Sequence, residues 1–183
     1  MILSLWFSAA LAAQTTGVAP EWEIRDLAAK LEKQAMVIDG LLAQFKPEEW
    51  VKQGAPGAYV DQLAETRQFN SYLAAQAQNL EREPAKLSVV LDTFLRLEHL
   101  QSLLDSIEAG ARHYQNPSLA DLLASAIGQA ATMREPLKEY TRALAVDREK
   151  EWEIANQEAQ RCRVTEAKRP PSPPAKKAAP AKQ

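Results

Sequence analysis

The sequence predicts an all-α protein: an antiparallel bundle of about four helices, the last long and kinked or split at Pro136, with a disordered Pro/Lys/Ala-rich C-terminal tail. Three observations lead there. Apolar residues recur at three- and four-residue spacing along most of the chain, as on one face of a helix. No stretch alternates apolar and polar residues as a half-buried strand does. Pro20, Pro47, Pro56, Pro84 and Pro117 punctuate the periodic segments, where proline starts, stops or turns a helix.

The first helix is expected over residues 20–45. Pro20 suits its first turn, Glu21, Glu23 and Asp26 favour the positive end of its dipole, and Ile24, Leu31, Ile38 and Phe45 repeat every seven residues. Residues 46–57 hold two prolines and two glycines and read as a loop with one short turn near Glu48–Lys52. The second helix, residues 58–82, carries Val60, Leu63, Phe69, Leu73, Ala77 and Leu80. Glu83-Pro84 then reverses the chain into a third helix over residues 84–113. That helix has leucines, Leu91 and Leu103 among them, beyond a narrow stripe, which suggests a central position. Asn116-Pro117-Ser118 combines a capping side chain with a first-turn proline and starts the fourth helix, residues 118–165. At 1.5 Å per residue such a helix is about 70 Å long, so part of it must overhang the bundle or fold back at Pro136. Glu-Trp-Glu-Ile and Arg-Glu-Pro-X-Lys each occur twice without extending into a repeat.

A chain of 183 residues with 46% hydrophobic and 25% charged content can bury a core. Its first apolar run, Ile2 to Ala13, is too short to span a bilayer and reads as the core of a signal peptide over residues 1–12. Ala10-Leu11-Ala12 supplies the small residues for cleavage before Ala13. The expected location is periplasmic or secreted, with an uncleaved anchor as the alternative. Cys162 is the single cysteine, so no internal disulfide can form.

The net charge of −2 hides an asymmetry. Lys168, Arg169, Lys176, Lys177 and Lys182 make the tail basic, and removing those five charges leaves −7 on residues 21–167. An acidic body argues against nucleic-acid binding, which needs a basic face for phosphates. The five basic tail residues are candidate contacts for an anionic envelope surface, attraction that dispersed charges make weak.

No residue pattern points to catalysis or to a resident metal or cofactor. His99 and His113 lack the helical Glu-x-x-His partner of bundle metal sites, and there is no phosphate loop, Gly-x-Ser-x-Gly elbow or His-Glu-x-x-His. Axial haem ligation by a histidine with Met36 or Met133 is the alternative form of chemistry considered, without covalent attachment. The sharper expectation concerns Ala145, Trp152, Ala155, Ala159 and Cys162, whose spacing suits a thin heptad seam on a charged helix and therefore a homodimer. In a parallel pair, two Cys162 thiols could meet. The competing expectation folds Trp152 onto Trp22 at the bundle end. Trp50, in the first long loop, is expected to plug that end of the bundle. The sequence thus suggests an exported, non-enzymatic bundle acting through an unidentified protein partner, as scaffold, adaptor or holding chaperone. A bundle holding a small ligand or haem is the alternative.

Overall fold

The computed structural model describes residues 18–167. The expected signal segment and the basic tail lie outside the described residues. Among the described residues every regular element is helical: α1 (Glu21–Leu42), α2 (Pro47–Lys52), α3 (Ala58–Arg82), α4 (Leu87–Tyr114), α5 (Pro117–Ala131) and α6 (Arg134–Ala167). These residues fall into two units, 18–145 and 146–167, with α6 contributing to both. The last residue of the buried stripe is Leu144.

In the first unit α1, α3, α4 and α5 each pack on two of the others and form a closed ring. The alternation of direction shows in the two ends of the core. The larger core cluster includes Leu42, Phe45, Leu63, Ile107, Ala111 and Ala120, which lie toward the end of α1 and α4 and the start of α3 and α5. In the other, Ile24 and Ala28 of α1 join Leu80, Val90, Leu137, Tyr140 and Leu144. Buried residues follow the four-three spacing of a bundle seam. In α1 they are Ile24, Ala28, Leu31, Ala35, Ile38 and Leu42. No helix is central. Leu91 and Leu95 of α4 are 42% and 55% exposed, because a corner helix has an outer face whatever its composition. Leu122 is likewise outside the core.

Local chemistry sets the boundaries. Pro20 is the N-cap of α1 with extended backbone, one position before the expected first turn. Asn116 caps α5 by accepting a hydrogen bond from Ser118 N at 2.9 Å, with Pro117 in the first turn, as the sequence predicts. The long last helix is split, but upstream of the proline: α5 ends at Ala131 and α6 begins at Arg134. Proline clashes with the carbonyl four residues back and cannot donate to it, so the break falls near Thr132 and leaves Pro136 in the first turn of α6. The buried stripe continues across the break through Ala130, Met133, Leu137, Tyr140 and Leu144. Tyr140 Oη donates to the carbonyl of Pro84 at 2.9 Å, anchoring α6 to the turn that precedes α4.

The stripe of α3 differs from expectation. Phe69 is only partly buried, while Thr66 and Asn70 occupy core positions. Thr66 returns its hydroxyl to the Gln62 carbonyl at 2.7 Å, and Thr93 of α4 does the same with Val89. Asn70 Nδ2 crosses to α1 and donates to the Ala35 carbonyl at 2.8 Å, leaving Asn70 Oδ1 buried without a partner.

Candidate interaction surfaces

From Arg148 to Glu166 every residue of α6 is exposed. The segment is nonetheless not uniformly polar: Trp152, Ile154 and Val164 are 69%, 59% and 53% exposed. A helix derives most of its stability from an apolar face packed on something, so large side chains without cover are the informative feature here. Of the seam residues expected from sequence, Trp152, Ala155, Ala159 and Cys162 lie on this segment and are exposed, Cys162 as a free thiol. Ala145 falls in the first unit and is half-buried. In the first unit Trp22 is 63% exposed. Arg148 pairs with Glu151 within the segment. Lys168, Arg169, Lys176, Lys177 and Lys182 lie outside the described residues.

The opposite kind of tryptophan is Trp50. It is fully buried, as the plug expected from its loop position, and sits between Phe45 and Tyr59 in edge-to-face contacts with centroids 5.9 and 5.5 Å away. Its Nε1 donates to Gln115 Oε1 at 2.9 Å, which also accepts from the backbone of Lys46 at 3.0 Å. Gln115 Nε2 in turn donates to the Gln44 carbonyl at 3.0 Å. One glutamine thus ties the α1–α2 turn, α2 and the end of α4 together. Nothing in the spacing of Gln115, beside the Asn-Pro helix start, distinguishes it from an ordinary loop residue.

Gly110 makes this aromatic cluster possible. A Cβ there would lie 2.8 Å from Tyr59 Cε1 and 3.0 Å from Trp50 Cζ3. Tyr59 is half-buried and makes edge-to-face contacts with both Trp50 and Tyr114, so moving its ring away from a new Cβ disturbs both. Gly110→Ala is accordingly expected to destabilise by about 1–3 kcal/mol, overriding the gain of up to about 1 kcal/mol that alanine brings to a helix interior. Urea denaturation at neutral pH measures it, and a more stable variant would show that the cluster yields.

The remaining surface offers less. An open cleft of about 640 Å³ between α1 and α3 exists because Ala35, Ala64, Ser71 and Ala74 are small, and the Arg67–Asp39 pair, 3.1 Å apart, lies at its rim. On the α3–α4 face Phe69 lies against the exposed His99 ring, centroids 4.4 Å apart and planes tilted by 56°, and Arg96 lies 5.9 Å over the Tyr72 ring. His99 is thus a helix-surface residue. Arg112 holds Asp121 and Glu108 at 2.7 and 2.6 Å, bracing α4 against the start of α5. These hydrogen bonds, that to Asp121 first, raise the guanidinium above its ordinary value and keep it cationic. Among the described residues no cluster of three or more His, Cys, Asp or Glu side chains is placed to hold a metal ion, and no helix is long and apolar enough to cross a membrane.

No family model, curated protein or solved structure was found to match the chain.

Proposed function

We propose that this chain is an exported, non-enzymatic helical-bundle protein that acts through protein–protein contacts in the cell envelope, as a scaffold, adaptor or holding chaperone. The carrying observation is the distal segment of α6, where Trp152, Ile154 and Val164 are exposed on a helix that has no buried residue from Arg148 to Glu166. Tryptophan is the side chain most enriched at the energetic centres of protein interfaces, and its exposure in a single chain is costly unless another surface covers it. The bundle acts as the rigid base, braced at one end by Trp50 and Gln115 and along its core by regular apolar layers. Export rests on the apolar run Ile2–Ala13 and its Ala-Leu-Ala site.

The alternative reading, a small ligand or haem held between the helices, has the open α1–α3 cleft of about 640 Å³ to use but little space in the core. His99 faces outward, and the gap lined by Leu97, Leu104, Ile127 and Ala130 has a volume of only about 10 Å³.

Photo-crosslinking tests the contact reading. A photoreactive residue in place of Trp152, in the full chain expressed in its native cells, is expected to give discrete crosslinked species, whereas one at exposed Glu81 of α3 is not. Equal labelling from both positions, or none from position 152, removes the distal segment of α6 as the contact surface.

A further inference from the structure

We propose that the distal segment of α6 pairs with the same segment of a second copy of the chain, in antiparallel orientation about a two-fold axis near Gln157. This rests on the reading of that segment as a contact surface and names its occupant.

The argument is one of size and charge along the seam. Arg148, Trp152, Ala155, Ala159, Cys162 and Glu166 follow one another at four-, three-, four-, three- and four-residue spacing and are all exposed. A parallel, in-register pair would set each against its own copy: Trp152 on Trp152, Arg148 on Arg148, Glu166 on Glu166. The end layers would be like-charged and the middle would mix one oversized layer with three small ones. Turning one helix round sets Trp152 against Cys162 of the second copy, Ala155 against Ala159, and Arg148 against Glu166. The two Trp152–Cys162 layers then set large against small, the alanine layers between them let the helices approach closely, and each end closes on an opposite-charge pair. Arg148 already holds Glu151 in its own helix, so in the pair it would sit between two carboxylates.

The flanks agree. In an antiparallel pair, positions on the same flank of the seam face each other, so Glu149 meets Arg163 of the second copy on one flank, twice by symmetry. On the other flank Glu151 meets Thr165, and Glu158 meets its own copy, which is the single opposing contact. A parallel pair gains Glu158 with Arg163 but carries the like-charged Arg148 and Glu166 layers. Charge complementarity therefore favours the antiparallel arrangement, as does the fit of Trp152.

The geometry changes the expectation for Cys162. Two Cys162 thiols in this arrangement are offset along the axis by ten residues, about 15 Å, well beyond disulfide reach. The native dimer should therefore form without a disulfide and resist no more in oxidising than in reducing buffer.

The test uses the full chain carrying Cys162→Ser, with either Arg148→Cys or Glu166→Cys added. Under mild oxidation neither variant alone is expected to crosslink, while a one-to-one mixture gives a disulfide-linked dimer that reductant dissolves. Sedimentation of the otherwise native chain should show a concentration-dependent dimer, weakened at least about tenfold by Trp152→Ala. A crosslink in either variant alone would establish the parallel pair and overturn the proposal. A mixture that stays uncrosslinked, with a native chain monomeric at all concentrations, would overturn self-pairing altogether. The broader reading then survives only if photo-crosslinking from position 152 captures a different protein, so the two failures remain distinguishable.

Discussion

Trp50→Ala is expected to cost about 3–5 kcal/mol of folding stability, the largest loss of any single truncation in the bundle. The side chain is fully buried, touches Phe45 and Tyr59, and donates its indole N–H to Gln115. Removing it opens a cavity where the ends of α1 and α4 meet α2 and α3, and the surrounding rings cannot collapse into it without leaving their edge-to-face contacts. Gln115 Oε1 would retain the Lys46 backbone donor, so the polar loss is partial and the apolar loss dominates. Trp50→Phe separates the two. It keeps most of the ring volume and loses the donor, and should cost roughly a third to a half as much as the alanine variant. Urea denaturation followed by far-ultraviolet circular dichroism measures both. A domain of this size has a total stability of about 5–15 kcal/mol, so the alanine variant is read directly from a large shift of midpoint. A midpoint within about 1 kcal/mol of the native protein would mean that Trp50 does not hold the bundle end closed.

Asn70→Asp is expected to be the second large effect and to depend on pH. Asn70 is 2% exposed and spends its one donor contact on the Ala35 carbonyl of α1, while its Oδ1 already lacks a partner. An ionised carboxylate of the same shape has no donor, points an oxygen at a carbonyl oxygen, and is buried without a cation in hydrogen-bond contact. Burial and carbonyl repulsion would both push the new acid's pKa in the folded state above the usual carboxylate value near 4. The folded state would then favour the protonated form, which can still donate to Ala35. The penalty relative to the native protein is therefore absent below the unfolded-state pKa, grows as pH rises through the interval up to the folded-state pKa, and is constant above it. At neutral pH it should reach about 3 kcal/mol or more. Paired urea titrations of native and variant proteins between pH 4 and 8 check the sign as well as the size. A pH-independent difference would show that the carboxylate is solvated and that the α1–α3 seam opens at this layer.

These two positions mark how far sequence reading goes in this chain. Trp50 was legible as a plug because a large aromatic in a short proline-bounded loop has few places to go, yet its partner Gln115 was not. Gln115 is distant in sequence and has no periodicity, so only the folding of α4 back to the α1–α2 turn brings the two together. Asn70 and Thr66 do not stand out because a stripe is read from apolar residues, whereas a bundle seam admits a polar side chain wherever a carbonyl of its own or a neighbouring helix is within reach. Phe69 and Leu91 show the converse: both are apolar and neither is fully buried. Hydrophobicity shows that a residue can be buried, and the ring of four helices decides which faces exist to bury it.

By itself, then, the amino-acid order determined the helical class, the number of major helices, the short turn after α1, the capped start of α5 and the presence of a break near Pro136. Each of these depends on contacts within a few residues: backbone hydrogen bonds, a missing proline N–H, a capping side chain. The tertiary structure decided the rest: that the break sits at Thr132 and Met133, that no helix is central, that Gly110 must be bare for Trp50 and Tyr59 to fit, and that the apolar core closes before Val146. Those outcomes depend on steric and polar contacts between helices, with partners dozens of residues apart. The seam of Trp152, Ala155, Ala159 and Cys162 belongs to both accounts, since local spacing defines it and its exposure emerges only when the core is complete.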